Sequence, residues 1–445
     1  MNLILRLCRA GQLATATAML APMTIAAAQE AATFRGDLAH TGVYAGPALR
    51  VAPKVKWAVH TDGYIISTPA VTRDAVYFGS TDANFYRVDR ETGARKWAFK
   101  TGARIASSPA VAGGLVYFES YDGIFYALDA AAGTVKWKFQ TAGERRFSAK
   151  HLHGFIPAGE TMPDPFDLYL SSPAVSNGRV YFGSGDGNVY ALNAATGALG
   201  WKFRTGNVVH ASPAIAGGVL YIGSWDSYLY ALDAATGQVR WRFKAGVDPE
   251  VGNQQGMQAS AAVVNGTVYV GCRDGHLYAV DAVTGKQRWA FDAKGSWVNT
   301  TPAVRDGKVF FGTSDGRTFY QLDAATGRVE FSMVFGWYIF ASPTVVEDMA
   351  YVANWDGKLA AIDLTTRKLV WSFQTEASKQ NIAKFTKTDG GMNFRAATTQ
   401  LDGFYDDLPI AISKIFTMGS FLSSPVVVGG VLYVGSTDGN LYALK

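Results

Sequence analysis

The stretch SSPAVAGGLVYFESYDGIFYALDAAAGTVKWKF, residues 107–139, contains one complete copy of the pattern that decides the fold. Four runs rich in Val, Tyr, Phe and Leu occupy residues 107–111, 115–119, 124–128 and 134–139. The turn pairs Gly-Gly, Asp-Gly and Ala-Gly separate these runs, and short runs between such turns are typical of hairpin-connected strands. The stretch therefore predicts a small antiparallel sheet of four strands.

This unit recurs along the chain every 40–41 residues wherever no insertion interrupts it. A period of about 40 residues with four strands is typical of one blade of a β-propeller, and no helical periodicity competes with it. The S-P-A-V element occurs eight times, with its proline position at Pro69, Pro109, Pro173, Pro213, Ala261, Pro302, Pro343 and Pro425. The W-x-F element also occurs eight times, at Trp57, Trp97, Trp137, Trp201, Trp241, Trp289, Phe331 and Trp371.

The order of these elements predicts how the ring closes. The chain opens with a lone W-x-F strand at Trp57 and ends after three strands of the unit that begins at Ser424. We therefore predict an all-β fold, an eight-bladed β-propeller of four-stranded antiparallel blades, whose ring is closed by the N-terminal strand completing the last blade. A ring of seven blades is the main alternative.

Most of the recurrent residues are interpreted as architecture. A glycine closes the turn before most W-x-F strands, as at Gly133 and Gly197, where a tight turn requires a positive φ. An aspartate such as Asp129 precedes the turn and can cap it through a side-chain oxygen. The repeated tryptophan is expected to lie flat between neighbouring blades. Because these residues recur in nearly every unit, we do not assign them to a binding site.

The repeat also resembles a known family. The segment A-L-D-A-A-T-G-x-x-x-W, residues 231–241, is similar to the tryptophan-docking motif of the pyrroloquinoline-quinone (PQQ) dehydrogenase propellers. It is equally similar to the wider PQQ-like repeat family, which includes the propeller lipoprotein of the outer-membrane β-barrel assembly complex. The segment F-R-G-D-L-A-H-T-G, residues 34–42, resembles the lead-in of exported members. The resemblance implies the propeller fold, and it extends to both enzymes and non-enzymatic binding proteins.

The N-terminal segment has the parts of a secretory signal peptide. Residues 1–28 carry Arg6 and Arg9, followed by a mostly apolar stretch and an alanine triplet that ends at Ala28. A cationic start, an apolar centre and small residues at the cleavage site are typical of such peptides. We expect cleavage after Ala28, a lead-in over residues 29–50 and a single propeller over 51–445. An uncleaved membrane anchor is the alternative, but Pro22 interrupts a stretch that is short for a spanning helix.

Charge and cysteine content exclude several classes of protein. The 445 residues carry a formal net charge of only +5, and no cluster of Lys and Arg concentrates it, so nucleic acid is not an expected partner. Hydrophobic residues make up 48% of the chain, which excludes a disordered protein. The two cysteines are Cys8, within the expected signal peptide, and Cys272, so a disulfide-stapled scaffold is excluded.

Three insertions distinguish the blades from one another. The gap from the W-x-F tryptophan to the next S-P-A-V proline is usually 12 or 13 residues, and three connections exceed it by about 24, 8 and 42 residues. Insertion one spans residues 144–170, insertion two 247–259 and insertion three 376–421. In a propeller these connections share one face with the x-Asp-Gly turns, so we predict one heavily decorated face that carries function. Within insertion three, residues 408–416 predict a short amphipathic helix.

The residues that vary most between units lie next to this face. The position before each x-Asp-Gly aspartate and the connections beside it carry aromatic and cationic side chains that are able to stack a planar anionic ligand or hold a peptide. The alternative is that these rings only seal the central channel. The candidate ligand-binding residues are Tyr64, Arg104, Tyr121, His210, Trp225, Arg273, Trp297, Trp337 and Trp355.

No catalytic or metal site is assigned. His151 and His153 form a His-x-His pair that is able to offer two imidazoles to a metal, with Asp164 and Asp167 nearby, but no third ligand stands at a defined spacing. The chain contains no C-x-x-C-H haem motif, no adjacent cysteines, no G-x-S-x-G and no P-loop. The PQQ-family calcium ligands and catalytic aspartate match no motif here.

These features predict an exported, periplasmic or secreted monomer without a transmembrane segment. It would act as a binding or scaffold protein, holding an envelope protein or a small planar or anionic ligand on the insertion-bearing face. The alternative that the resemblance implies is a PQQ-dependent alcohol or sugar dehydrogenase, with PQQ and Ca²⁺ as cofactors and a separate electron acceptor. Polysaccharide binding along the aromatic rim is a third hypothesis.

Overall fold

Eight antiparallel sheets of four strands each form the blades of the ring, as the repeat predicts. The computed structural model describes residues 32–154, 159–247, 253–397 and 404–445. The predicted signal peptide lies outside these residues. Each blade runs from a short innermost strand to an exposed outermost strand that carries the W-x-F element.

The first four blades follow one another along the chain. Blade one contains β2 (Ala70–Val71), β3 (Ala75–Gly79), β4 (Asn84–Asp89) and β5 (Arg95–Lys100). Blade two contains β6 (Ala110–Ala112), β7 (Leu115–Glu119), β8 (Ile124–Asp129) and β9 (Val135–Gln140). Blade three, after the hairpin β10 (Ser148–Lys150) and β11 (Thr161–Pro163), contains β12 (Ala174–Ser176), β13 (Arg179–Gly183), β14 (Asn188–Asn193) and β15 (Leu199–Arg204). Blade four contains β16 (Ala214–Ala216), β17 (Val219–Gly223), β18 (Tyr228–Asp233) and β19 (Val239–Lys244).

The remaining blades complete the ring. Blade five contains β20 (Ala262–Val264), β21 (Thr267–Gly271), β22 (His276–Asp281) and β23 (Gln287–Asp292). Blade six contains β24 (Ala303–Arg305), β25 (Lys308–Gly312), β26 (Thr318–Asp323) and β27 (Val329–Val334). Blade seven contains β28 (Thr344–Val346), β29 (Met349–Ala353), β30 (Lys358–Asp363) and β31 (Lys368–Gln374). Blade eight contains β32 (Val426–Val428), β33 (Val431–Gly435), β34 (Asn440–Leu444) and, from the other end of the chain, β1 (Val55–His60).

The two ends of the described chain close the ring through the last blade. Strand β1 pairs antiparallel with β34, and Trp57 lies opposite Ala443. Lys54 and Lys445 exchange both backbone hydrogen bonds, at 2.8 and 2.9 Å. The predicted eight-bladed ring and its closure are therefore confirmed.

A circle of hydroxyl groups joins all eight blades around the axis. The residue before each S-P-A-V proline position is Ser or Thr, and its backbone N–H donates to the side-chain oxygen of the equivalent residue in the next blade, at 2.8–3.2 Å. Because every member is buried, each bond satisfies a backbone donor that no strand partner reaches. The members are Thr68, Ser108, Ser172, Ser212, Ser260, Thr301, Ser342 and Ser424.

The repeated tryptophan lies between neighbouring blades, as predicted. Trp137 of blade two donates from Nε1 to the carbonyl of Ala194 in blade three, at 2.9 Å. Its ring lies on Gly197, whose φ is +74°, and a Cβ built on that glycine would lie 2.6 Å from the indole. Asp129 accepts from two backbone N–H groups of its own turn, so the predicted capping is also confirmed.

Gly197→Ala is expected to destabilise the ring more than Gly178→Ala. Both glycines have nearly the same φ, +74° and +72°, but a Cβ on Gly178 would meet nothing within 4 Å. The left-handed backbone alone costs about 1–2 kcal/mol for a non-glycine residue, and the collision with Trp137 adds about 1–3 kcal/mol of overpacking. Urea unfolding of both variants measures the difference, and equal losses would show that the indole does not restrict this turn.

The lead-in crosses the innermost strands of five blades. Backbone hydrogen bonds join it to β6, β16, β20, β24 and β28, beginning with the reciprocal pair between Ala32 and Val111. These strands run away from the insertions, so the lead-in covers the opposite mouth of the channel. Phe34 reaches the axial cavity, and the guanidinium of Arg35 is fully buried and donates to the carbonyl of Pro343 at 2.7 Å.

The insertions supply the helices of the described chain. Insertion one contains the β10–β11 hairpin and a 3₁₀ turn at Leu152–Gly154. Insertion three contains α1 (Glu376–Phe385), α2 (Phe394–Ala397) and α3 (Phe404–Phe416), so the helix predicted over 408–416 is confirmed as the latter part of α3. Among the described helices, none has the length and apolar character needed to cross a membrane.

Candidate functional site

The three insertions meet over one mouth of the channel. The predicted common face is confirmed, because the x-Asp-Gly turns hydrogen-bond to the neighbouring connections, as where Trp355 N donates to the carbonyl of Tyr338 at 3.0 Å. Gln258 of insertion two donates to the carbonyl of Phe166 in insertion one, at 2.9 Å. The Tyr169 hydroxyl donates to the carbonyl of Leu422, just after insertion three, at 3.1 Å.

The four tryptophans among the candidate residues lie beneath this cover. Trp225 is 1% exposed and is stacked on Phe147 of insertion one, with ring centroids 4.4 Å apart and planes at 10°. Trp355 is fully buried among aromatic rings that include Phe416 of α3, with centroids 5.3 Å apart. Trp297 and Trp337 are 5% and 1% exposed. These buried rings pack beneath the insertions.

Arg273 is the charged centre of this layer. Its guanidinium lies 3.7 Å from the ring centroid of Trp297 and 4.8 Å from that of Trp225. Nη1 donates to Asp164 Oδ2 at 2.6 Å, and both side chains are fully buried. Burial opposes ionisation of Asp164, but the guanidinium outweighs it and holds the pKa of this carboxyl well below its usual value. The arrangement fixes insertion one above blade five.

His210 fixes the same insertion above blade four. Its Nδ1 lies 2.7 Å from Asp167 Oδ1 and its Nε2 lies 3.3 Å from Glu144 Oε2, and all three side chains are buried. Burial disfavours the imidazolium, but the two carboxylates outweigh burial and raise the pKa of His210 to about 10. Glu119 lies in the same cluster, where burial first and Glu144 second raise its pKa well above 4.5. The cluster therefore holds a protonated histidine between two carboxylates.

The stabilising contribution of His210 is expected to fade as pH rises. Between its ordinary pKa of 6.5 and the folded value of about 10 the folded chain binds more protons than the unfolded chain, so the free energy of unfolding falls with pH in this window. Urea unfolding of the wild type and of His210→Gln at pH 6, 8 and 10 measures the contribution of His210 to the free energy of unfolding at each pH. The stability difference should be largest at pH 6, and the exposed His60→Gln serves as the control. A difference that stays constant or grows with pH contradicts the assignment.

Three of the candidate residues stay partly exposed at the edge of the face. The guanidinium of Arg104 lies over the ring of Tyr121, 4.0 Å from its centroid. Tyr64 makes an edge contact with Phe416, with ring centroids 5.5 Å apart. The structure thus brings Arg104 and Tyr121 together and places Tyr64 beside α3. His210, Arg273 and the four tryptophans lie deeper.

An aromatic groove remains open between insertions one and three. Its first part has a volume of about 390 Å³ and is lined by Phe166, Trp297, Tyr338 and Phe394 together with polar groups that include Asp315. Its second part, about 370 Å³, shares Tyr338, Phe394 and Asp315 with the first. We call this continuous depression the aromatic groove. The charged side chains of its second part are Asp315, Arg317, Lys387 and Asp389.

The axis itself offers little space. The cavity that the hydroxyl circle lines measures about 40 Å³, and Phe34, Tyr169 and Phe340 limit it. Pockets that hold cofactor-sized ligands commonly measure about 300–1,000 Å³. The residues at the axis therefore do not fit PQQ, a tricyclic quinone with three carboxylates.

The histidine pair has partners other than a metal. Nδ1 of His153 lies 2.6 Å from Asn253 Oδ1, and its Nε2 lies 3.4 Å from Asp164 Oδ1. Asp164 and Asp167 are the ion-pair partners of Arg273 and His210. Within the described ranges, no group of three or more His, Cys, Asp or Glu side chains is placed to hold a metal ion.

The repeat is matched by a known family. A family model described as outer membrane protein assembly factor BamB matches residues 50–154, 166–292, 226–334 and 273–389, which together cover well over half of the chain. The chain belongs to this PQQ-like β-propeller repeat family. The resemblance noted in the sequence is thereby confirmed. No curated protein sequence matches the chain.

Solved structures share the fold at low identity. BamB from Moraxella catarrhalis superposes with a TM-score of 0.64 and 16% identity, covering 88% of this chain and 99% of that one. A quinohemoprotein alcohol dehydrogenase from Comamonas testosteroni superposes with a TM-score of 0.67 and 14% identity, covering 94% of this chain and 81% of that one. A europium-containing methanol dehydrogenase superposes with a TM-score of 0.66 and 15% identity, covering 92% of this chain and 96% of that one. At such identities these likenesses show the fold alone, and they include both a named assembly factor and named enzymes.

Proposed function

We propose that this chain is an exported, non-catalytic scaffold that binds an envelope protein on its insertion-bearing face. The observation that carries the proposal is the aromatic groove, because it is the large apolar depression on the face where the insertions meet. Tyr338 and Phe394 are partly exposed within it. Aromatic anchors flanked by charged groups are the usual composition of a protein-binding surface. The description of the matching family, an outer membrane assembly factor, supports an envelope partner.

The groove suits an extended segment of a partner better than a small planar cofactor. Its two parts adjoin through Asp315, Tyr338 and Phe394, so a peptide is able to lie along both. The second part is lined by two acidic and two basic side chains, Asp315, Asp389, Arg317 and Lys387, which give the groove donors and acceptors for a mixed-charge segment. By contrast, the axis holds a cavity of only about 40 Å³.

Substitution of the groove aromatics tests this proposal. We expect Tyr338→Ala and Phe394→Ala to weaken capture of an envelope partner by about tenfold or more, since central aromatic anchors carry most of the energy of an interface. Photo-crosslinking from position 387, in the charged part of the groove, identifies the captured protein in envelope extracts, and titration of that protein against each variant measures the loss. Tyr228→Ala is the matched control, because Tyr228 is a partly buried aromatic residue on strand β18 of blade four and does not line the groove.

The dehydrogenase alternative is tested in the same preparation. Incubation with PQQ and Ca²⁺, followed by dye-linked oxidation of a panel of alcohols and sugars, should give no turnover above the rate without protein. Stoichiometric quinone uptake with turnover would overturn the scaffold proposal. If Tyr338→Ala and Phe394→Ala leave capture of the envelope partner unchanged, the aromatic groove is not the binding surface.

A further inference from the structure

A second, smaller cleft lies at the edge of the insertion-bearing face. It measures about 220 Å³ and lies between the rim of blades one and two, insertion one and α3. Its lining includes two guanidinium groups, those of Arg104 and Arg146. The other lining residues form a mostly apolar wall that includes Leu168, Pro409, Ile412 and Phe416, and three of them, Tyr64, Thr81 and Ser413, carry hydroxyls. We call it the arginine cleft.

Among the residues that the structure describes, neither guanidinium in the cleft has a counter-charge. Within the described residues, no carboxylate lies within ion-pair distance of Arg104 or Arg146. The nearest acidic cluster contains Glu144 and Asp167, and both carboxylates already face the protonated His210. Two cations therefore lie beside an apolar wall with no carboxylate partner in the described part of the chain.

The protein positions the guanidinium of Arg104 and the backbone on both sides of Arg146. Arg146 lies between two anchored residues, since Arg145 Nε donates to the carbonyl of Gly185 at 2.9 Å and Phe147 N donates to Asp167 Oδ2 at 2.7 Å. The guanidinium of Arg104 rests on the ring of Tyr121. Groups that are fixed before a ligand arrives lose little entropy on binding. The Arg104 guanidinium and the chain at Arg146 are therefore positioned before any ligand binds.

We propose that the arginine cleft binds a small amphipathic anion, in which a carboxylate or phosphate adjoins one ring or a short aliphatic group. The anion would meet Arg104 and Arg146 through charge-assisted, bidentate hydrogen bonds. The apolar part would pack on Leu168 and Ile412. A cavity of about 150 Å³ holds benzene, so about 220 Å³ accommodates a single substituted ring. This chemistry occurs in free aromatic acids and in the last residue of a peptide that ends in an aromatic side chain.

Calorimetric titration of the full chain tests the site with defined probes. The probes are phenylacetate, phenyl phosphate, the neutral phenylacetamide, and a peptide that ends in Phe with either a free or an amidated C-terminus. We expect saturable binding of at least one anionic probe with a Kd below about 1 mM, and at least tenfold weaker binding of its neutral counterpart. Arg104→Gln and Arg146→Gln should each weaken binding about tenfold or more. Arg328 is an exposed arginine on blade six, and Arg328→Gln should leave binding of the anionic probe unchanged.

The outcomes distinguish a free small molecule from a peptide end as the ligand. They also distinguish failure of the arginine cleft from failure of the aromatic groove. Binding of the free acids identifies a small molecule, and preference for the free C-terminus of the peptide identifies a protein end. Absence of saturable binding by every anionic probe, or binding that survives both arginine substitutions, overturns the inference. Because Tyr338 and Phe394 do not line this cleft, partner capture at the aromatic groove stands or fails independently.

Discussion

Asp164→Asn is expected to lower the free energy of unfolding by about 3–5 kcal/mol, because it leaves the buried guanidinium of Arg273 without a counter-charge. The two groups form an ion pair of 2.6 Å, and neither side chain is exposed. The guanidinium lies against the rings of Trp225 and Trp297 and its side chain is fully buried, so bulk solvent does not replace the lost carboxylate. Urea unfolding at pH 7 measures the loss, which should greatly exceed that of any surface ion pair.

Two further variants distinguish a buried charge from a general loss of packing. Glu91→Gln removes the ion pair with Lys56, in which the glutamate side chain is 74% exposed, and should leave the free energy of unfolding nearly unchanged. The double variant Asp164→Leu with Arg273→Met replaces both charges with apolar groups and should recover much of the stability that Asp164→Asn loses. If Asp164→Asn costs no more than Glu91→Gln, this ion pair does not hold insertion one.

The blades were predictable from the sequence because their signals are local and repeated. Each strand depends on a few alternating residues and on a turn such as the one at Gly133, and eight copies confirm one another. Ring closure followed from order alone, since the strand of Trp57 has no blade of its own. The hydroxyl circle was not predicted, although Ser or Thr precedes every S-P-A-V proline position, which is a signal that the sequence contains.

The insertions were not predictable in the same way, because their contacts are long-range and occur once. Asp164 pairs with Arg273, 109 residues away, and Asp167 pairs with His210, 43 residues away. No periodicity encodes such pairs, and the sequence offered Asp164 and Asp167 only as acids near the histidine pair. The same limit explains Trp225, which the repeat correctly places at the rim but which Phe147 of insertion one covers.

Trp201→Ala is expected to destabilise the ring by about 3–5 kcal/mol, the usual cost of truncating a buried tryptophan. Trp201 is 9% exposed, and its ring fills the space beside Gly237 in the next blade. Its Nε1 also donates to the carbonyl of Ala234 at 3.1 Å. Removal opens a cavity between two rigid sheets, which have little freedom to collapse into it. Urea unfolding followed by circular dichroism measures the change.

Trp201→Phe separates packing from the hydrogen bond. The Ala234 carbonyl also accepts from the Tyr181 hydroxyl at 3.0 Å, so loss of the indole N–H leaves it with a partner. We therefore expect Trp201→Phe to cost less than half as much as Trp201→Ala. Equal costs would show that the hydrogen bond, and not the filled space, makes this residue recur in the blades.

Trp371→Ala should have an additional effect that the other tryptophans lack. Strands β34 and β1 of blade eight come from distant parts of the chain, so no turn between them receives the indole. Trp371 Nε1 instead donates to the carbonyl of Leu49 in the lead-in, at 2.8 Å. Its truncation should therefore loosen the lead-in as well as the blade interface. Limited proteolysis should cut near Leu49 faster in Trp371→Ala than in Trp201→Ala at matched stability. Identical cleavage would mean that the backbone bonds to the inner strands hold the lead-in without this tryptophan.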